Sequence, residues 1–398
     1  MCGGWLMRLA VIREGRALLY IPDTRRAVTE HGGLEPAWLE VFYNPVMAFN
    51  RDLSVLMAEA FLSSTGLSVF FVDALAGTGV RGVRYALELS RVQEGIVNDI
   101  DPSAFRLITM NVKINALNGV LRPANRDANA LLLSLRRELG MTFNLVDVDP
   151  FGSPAPYLAS AISALGRGGL LGVTATDLAV LGGSKPLAAK RRYWVNTPLP
   201  LRHYREVAIR SLLGYMARVA ASMDRALKPL ASFSVDHYVR LFVSFDRGAR
   251  KSDEVLERDL GCLDLMEGGV VRLTELHDNC YGPLWRGPLY DQELVDRALK
   301  LLDKVQTLES LERLRRVLGV VRQELSLQNY FHQRLDHLCS AQRHNMPSLE
   351  SVKKLLTDLG FSFSRTHLSD VGFRTDAPPE VLSRICGEAL SVAGPGRG

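Results

Sequence analysis

A run of apolar residues at 69–72 passes through Asp73 into a loop carrying Gly77, Gly79 and Gly82, and from there into a helical pattern over 83–89. Strand, glycine loop and helix in that order form a β–α unit, the building block of a mostly parallel sheet faced by helices. Glycines in such a loop let the backbone approach a ligand and present amide groups at a helix start. The loop is not the six-residue dinucleotide fingerprint, and no Walker A lysine follows it.

The pattern then repeats. A second strand at 95–98 ends in Asp99, and Asp101-Pro102 opens a helix running to Asn115. An acid at the end of the second strand stands where a ribose diol is held. Asp127-Ala128 precede a helical stretch at 131–139, where a carboxylate can accept from an adenine amino group. The apolar run 143–148 leads into Asp149-Pro150-Phe151-Gly152.

That last motif sets a carboxylate, a backbone carbonyl and an aromatic ring at a strand end. An amine on a flat ring is a weak nucleophile because its lone pair is delocalised, so a catalyst must orient it and receive its proton. Asp149 and the Pro150 carbonyl can accept its N–H groups, and Phe151 can stack on the ring. Asp-Pro after a strand is also ordinary turn chemistry, with Phe151 as core. The order glycine loop, ribose acid, adenine acid and amine pocket is that of an S-adenosylmethionine-dependent methyltransferase, which favours the catalytic reading.

The chain resembles the tRNA (guanine-26 N2)-dimethyltransferase family, especially its archaeal members. The likeness lies in Phe42-Tyr43-Asn44-Pro45, Phe49-Asn50-Arg51-Asp52-Leu53-Ser54, the loop at 73–82, Asn98-Asp99-Ile100, and Asp147-Val148-Asp149-Pro150-Phe151-Gly152. It continues through Thr176-Asp177, Asp236-His237-Tyr238, Gly282-Pro283-Leu284-Trp285 and Arg365-Thr366-His367, and so spans most of the chain. The resemblance implies a Rossmann-like class I methyltransferase domain with a smaller C-terminal α+β domain. It also implies that Arg51, Arg81, Asp99, Asp127 and Ala128 contact S-adenosylmethionine, together with the loop residues Asp73, Gly77 and Gly79. Asp149 would face guanine N2, with Phe42 and Phe151 flanking the base. The implied products are N2-methylguanosine and then N2,N2-dimethylguanosine, at position 26 of tRNA.

At 398 residues the length permits two domains, and 47% apolar residues suffice for their cores. The polar segment 247–252 is the candidate boundary, giving a methyltransferase domain at 1–248 and a tRNA-binding domain at 249–398. Alternation over 232–245 predicts a late strand or hairpin in the first, and 294–327 and 349–359 have helical periodicity in the second. A net charge of +5 suits a polyanionic partner without proving one. Lys185, Lys190-Arg191-Arg192-Tyr193-Trp194 and Arg202-His203-Tyr204-Arg205 mix cations with aromatics, as phosphate contact and base stacking require. Arg365, His367 and Arg374 are further expected phosphate contacts. Arg313, Arg315, Arg316 and Arg322 read as a solvated helix face, with a role in tRNA contact left open.

No leader or twenty-residue apolar span is present, so a soluble, cytoplasmic protein is expected; a monomer is the expected state. Five widely spaced cysteines in a reducing compartment predict no disulfide framework. Some members of the family carry a cysteine-rich zinc site; here only Cys262, Cys280 and His277 occupy that region, short of four ligands, so no metal is expected. Two other functions remain open: methylation of another exocyclic amine in RNA or DNA, and RNA binding without catalysis.

Overall fold

The computed structural model describes residues 7–29, 33–196, 203–264, 270–272 and 280–392. The chain divides into two compact units. The first comprises Met1–Thr174 with Arg297–Arg315, and the second Ala175–Asp296 with Arg316–Gly398.

The first unit opens with the antiparallel hairpin β1 (Leu9–Glu14) and β2 (Ala17–Pro22), followed by helix α1 (Ala48–Leu62). Strands and helices then alternate: β3 (Val69–Asp73), α2 (Val80–Glu88), β4 (Val92–Asn98), α3 (Pro102–Ile114), β5 (Leu121–Ala124), α4 (Ala128–Arg137), β6 (Phe143–Val148), α5 (Leu158–Ala164) and β7 (Leu165–Ala175). The strands lie parallel in the order β5-β4-β3-β6-β7. Phe71, Val72, Val97, Leu145, Val146 and Val148 are fully buried, as strands covered on both faces must be.

Local chemistry sets the helix starts. Asp101 caps α3 by accepting from Ser103 N–H (2.8 Å), with Pro102 in the first turn. Asp127 caps α4 by accepting from Ala130 N–H (2.9 Å). Strand order reverses at β3, which pairs with β4 on one side and β6 on the other. Ligands of open α/β sheets bind outside the carboxyl ends of the strands at such a switch point.

The second unit starts with α6 (Leu178–Leu181), α7 (Pro186–Tyr193) and α8 (Tyr204–Ala221). The expected late hairpin is β8 (Arg225–Val235) with β9 (Tyr238–Arg247), which pair antiparallel. Gly248 alone separates β9 from α9 (Ala249–Asp259), so the polar segment at 247–252 is a tight strand-to-helix turn. Strands β10 (Leu260–Asp264), β11 (Val270–Arg272) and β12 (Cys280–Trp285) form a small sheet. The helical stretch 294–327 breaks into α10 (Gln292–Leu302) and α11 (Leu311–Glu324).

The remaining elements are β13 (Gln333–Arg334), α12 (Leu335–Gln342), α13 (Leu349–Asp358), β14 (Phe363–Arg365), β15 (Gly372–Thr375), α14 (Pro379–Leu382) and α15 (Ile385–Val392). They enclose a core of Leu335, Val352, Leu356, Phe373, Ile385 and Ala389.

One expectation is corrected here. Cys339 in α12 and Cys386 in α15 are joined by a disulfide with Cα atoms 5.4 Å apart, and Cys262 in β10 is disulfide-bonded too. The packing of α12 on α15 brings together thiols 47 positions apart, which spacing along the chain does not reveal. Closing a loop of that length restricts the unfolded chain. Cys339→Ser is expected to lower the unfolding free energy by about 2–4 kcal/mol in urea titration; an unchanged midpoint would mean that the cross-link contributes nothing.

Candidate active site

The carboxyl ends of β3, β4 and β6 gather the acids expected from the sequence. Gly77 (φ +54°) and Gly79 (φ +78°) turn the loop after β3 through left-handed backbone. A side chain at Gly77 would also press on the Phe42 carbonyl oxygen, its Cβ lying 3.0 Å away. The glycine is therefore needed twice over: for the turn, and for the close passage of the segment carrying Phe42. Gly77 N–H donates to Asp99 Oδ2 (2.8 Å) and Asp101 N–H to Oδ1 (3.0 Å), which fixes that half-buried carboxylate beside the loop. Burial first of all pushes its pKa up, against the backbone donors. Asp127 stands exposed at the start of α4, and Ala128 is buried behind it.

Asp149 lies just past β6 with its side chain 22% exposed, and it is paired with Arg81. Arg81 comes from α2 and is buried. Its Nη1 donates to Ser54 Oγ (2.6 Å), its Nη2 to Asn50 Oδ1 (3.1 Å) and to Asp149 Oδ2, and its Nε lies 3.4 Å from Asp147 Oδ1. Asp147 also accepts from Tyr85 Oη (2.6 Å). Two acids, Asp147 and Asp149, therefore share one guanidinium, and Asp73 feels its charge without pairing with it. Burial, and next the neighbouring Asp147, push the Asp73 carboxyl up to about 7 against the pull of Arg81.

The aromatic residues meet as well. Phe42 and Phe151 touch edge to face, with centroids 5.9 Å apart and planes at 69°. Phe151 is 82% exposed and Phe42 43%, an arrangement that does not suit a core and suits a ring-binding surface.

The arrangement combines a partly open carboxylate, two exposed rings, a glycine turn and two acids at the switch point of a parallel sheet. A model of the family described as N2,N2-dimethylguanosine tRNA methyltransferase matches residues 24–386. The chain belongs to that family. A tRNA (guanine(26)-N(2))-dimethyltransferase of Aeropyrum pernix is 42% identical to it, over 95% of this chain and 97% of that protein. The enzyme of the same name from Saccharolobus solfataricus is 35% identical over 95% and 98%. Among solved structures, Trm1 from Pyrococcus horikoshii, determined with S-adenosyl-L-methionine, is similar with a TM-score of 0.83 and 33% identity, over 95% of this chain and 99% of that one.

Within this N2,N2-dimethylguanosine tRNA methyltransferase, several expected contacts lie elsewhere than anticipated. Asp73 is buried under the loop and accepts from Gly82 N–H (2.9 Å), so it shapes the loop and does not reach a ligand. Arg51 is buried and its Nε and Nη2 both donate to Glu14 of β1 (2.6 Å each), so a second carboxylate would have to meet its Nη1 side. Glu14 also accepts from Arg84 (3.0 Å) and Tyr43 (3.1 Å). Burial alone would raise its pKa, but Arg51 and Arg84 hold it below the ordinary glutamate value.

The expected RNA contacts divide. Lys190, Arg191 and Arg192 are exposed on α7, with Arg192 3.2 Å from Asp177. Arg365 is half exposed beside Glu350 (3.3 Å), and Arg202 lies outside the described residues. His367 and Arg374 require correction. The His367 side chain is 1% exposed, with Nδ1 2.8 Å from Glu324, and Arg374 is fully buried between Glu206 (3.0 Å) and Glu324 (2.7 Å). Neither side chain is open to a phosphate, because both are buried against carboxylates that balance their charge. Arg315 and Arg322 pair with Asp303 (3.4 Å) and Asp296 (3.2 Å), in keeping with a solvated face, whereas Arg313 lies over the buried Phe49 ring at 4.2 Å.

Sequence reasoning missed the residues that hold the site. Asp147 interrupts an apolar strand, and Asn50, Asp52 and Ser54 are buried beside Arg51 in the first half of α1; buried polar groups of that kind need partners. For Glu14 no such signal exists. His277 lies outside the described residues, and among the described residues no group of three or more metal-ligating side chains occurs. No described helix is long and apolar enough to cross a membrane.

Proposed function

We propose that this chain methylates the exocyclic N2 of guanine 26 in tRNA, first to N2-methylguanosine and then to N2,N2-dimethylguanosine. The observation that carries the reading is Asp149, a partly open carboxylate at the end of β6 beside the exposed Phe151. A flipped guanine would be gripped by Phe151 and Phe42, with its N2–H groups donating to Asp149 and the Pro150 carbonyl. Asp149 then takes the proton that N2 releases and passes it to solvent. One N–H remains on N2 for the second round.

The cofactor, S-adenosylmethionine, supplies an electrophilic methyl group on a sulfonium. The residues present fit it. A carboxylate has about four acceptor positions; the backbone N–H groups of Gly77, Asp101 and Ile100 meet Asp99, which leaves room for a ribose hydroxyl. Gly77 and Gly79 keep the loop backbone approachable, and Asp127 and Ala128 would meet the adenine. Arg51, through Nη1, would meet the amino-acid end. Arg81 serves the site through Asp149.

Lys190, Arg191, Arg192 and Arg365 would contact phosphates, and the segment 249–398 would help grip the tRNA. The enzyme is read as cytoplasmic and monomeric. Unmodified tRNA incubated with protein and S-adenosylmethionine, digested and analysed by mass spectrometry, is expected to yield N2,N2-dimethylguanosine, and none when guanine 26 is replaced by adenine. A methylated base of another kind would overturn the substrate assignment.

A further inference from the structure

Trp194 closes helix α7 in left-handed backbone, φ +53°, where glycine or asparagine is favoured, and its side chain is 63% exposed. A large apolar ring in that conformation and facing water has no packing explanation, and strain of this kind accompanies function. The indole is nonetheless held in place. Arg218 of α8 lies over it at 5.8 Å, and Tyr215 meets it edge to face at 6.1 Å. Arg218 also donates to the carbonyls of Tyr193 (2.8 Å) and Gly214 (3.1 Å), which ties the end of α7 to α8. Lys190 and Arg191 stand exposed within the preceding turn, and Arg192 is partly neutralised by Asp177. The helix dipole accounts for cations at a helix end. It does not account for an exposed, braced indole next to them.

We propose that Trp194 is a stacking platform for an unpaired base of the tRNA, apart from the guanine that is methylated, with Lys190 and Arg191 meeting the adjoining phosphates. Every base has a π-face, so an aromatic ring flanked by cations takes single-stranded nucleotides with little regard to sequence. The single sign of the flanking charge selects a polyanion. The inference rests on the tRNA reading above and extends it to a second nucleotide.

The test measures binding of labelled, unmodified tRNA to the full-length protein by fluorescence anisotropy at several salt concentrations. Losing one stacked base should weaken binding on the order of 10- to 100-fold in Trp194→Ala. Trp194→Leu should behave like the alanine variant, because it keeps apolar bulk without a π-face, and Trp194→Phe should stay near wild type. None of the three should alter the salt slope, whereas Lys190→Ala should reduce it by about one. Affinity for S-adenosylmethionine should not change. Wild-type affinity in Trp194→Ala, or equal binding by the leucine and phenylalanine variants, would overturn the platform. So would a loss of cofactor affinity together with tRNA affinity, which would make Trp194 structural. Wild-type protein that neither binds nor methylates tRNA would sink the parent reading as well; wild-type activity with an indifferent Trp194→Ala removes the platform alone.

Discussion

Asp149→Ala is expected to lower kcat by about 100- to 10,000-fold, the usual range for a positioned general base, while the Kd for S-adenosylmethionine stays within a few-fold. Asp149 lies two residues before the exposed Phe151 and gives its oxygen to Arg81, whose other partners are Asn50, Ser54 and Asp147. Removing Asp149 leaves Arg81 with Asp147 and with Asp73 close by, so the guanidinium is not stranded and the fold should survive. Asp149→Asn is the sharper variant. It keeps the shape and one acceptor but cannot take a proton, and its turnover should fall as far. Single-turnover methylation under saturating cofactor separates the two effects, and a rate within a few-fold of wild type would remove Asp149 from proton transfer.

Glu206→Gln is expected to destabilise the protein by about 3–5 kcal/mol, measured by denaturant titration. Glu206 is fully buried and accepts from Arg210 (2.7 Å), Arg374 (3.0 Å) and both the backbone N–H (3.0 Å) and Nδ1 (2.6 Å) of His332. The substitution leaves two buried guanidiniums to Glu324, which reaches Arg374 alone (2.7 Å). A loss under about 1 kcal/mol would show that water or rearrangement relieves those charges.

The same network fixes an acid dependence. Burial would raise the Glu206 pKa, but Arg374 and Arg210 hold it well below the ordinary 4.5, and Glu324, opposed in the same way by His367 and Arg374, lies at about 2. Carboxyls depressed in the folded state contribute fully above 4.5, and their contribution is lost as pH falls toward 2. His203, lowered from 6.5 to about 3 by burial and by His332, adds a loss in the same direction below pH 6.5. Asp73, raised to about 7, opposes it, because its stabilising share fades as pH rises. Stability should therefore fall most steeply below pH 4.5, and Glu206→Gln should flatten that limb.

What could be read from the sequence was local. The β3–loop–α2 unit, the helix start at Asp101-Pro102 and the strand before Asp149 each depend on residues within a few positions, and the structure places them within a few residues of expectation. The order of acids at successive strand ends carried the candidate site. What could not be read depends on partners far along the chain. Glu14 meets Arg84 across 70 positions, and Arg374 meets Glu206 across 168. His367 and Arg374 looked like surface cations because a charge betrays its burial only through its counter-ion. The Cys339–Cys386 bond was hidden for the same reason.

The first compact unit is interrupted, and this bears on how the chain is made. Its central strands are complete by Thr174, but it also needs residues 297–315, where Ser310 N–H donates to Asp52 (2.8 Å) and Arg313 covers the Phe49 ring. A ribosome adding about 5–20 residues per second delivers that segment on the order of ten seconds after the strands. During that interval the nascent chain carries the methyl-transfer scaffold with Asp52 and Phe49 lacking those partners. The interruption makes any fragment ending near the close of the parallel strands an unsuitable stand-in for the enzyme.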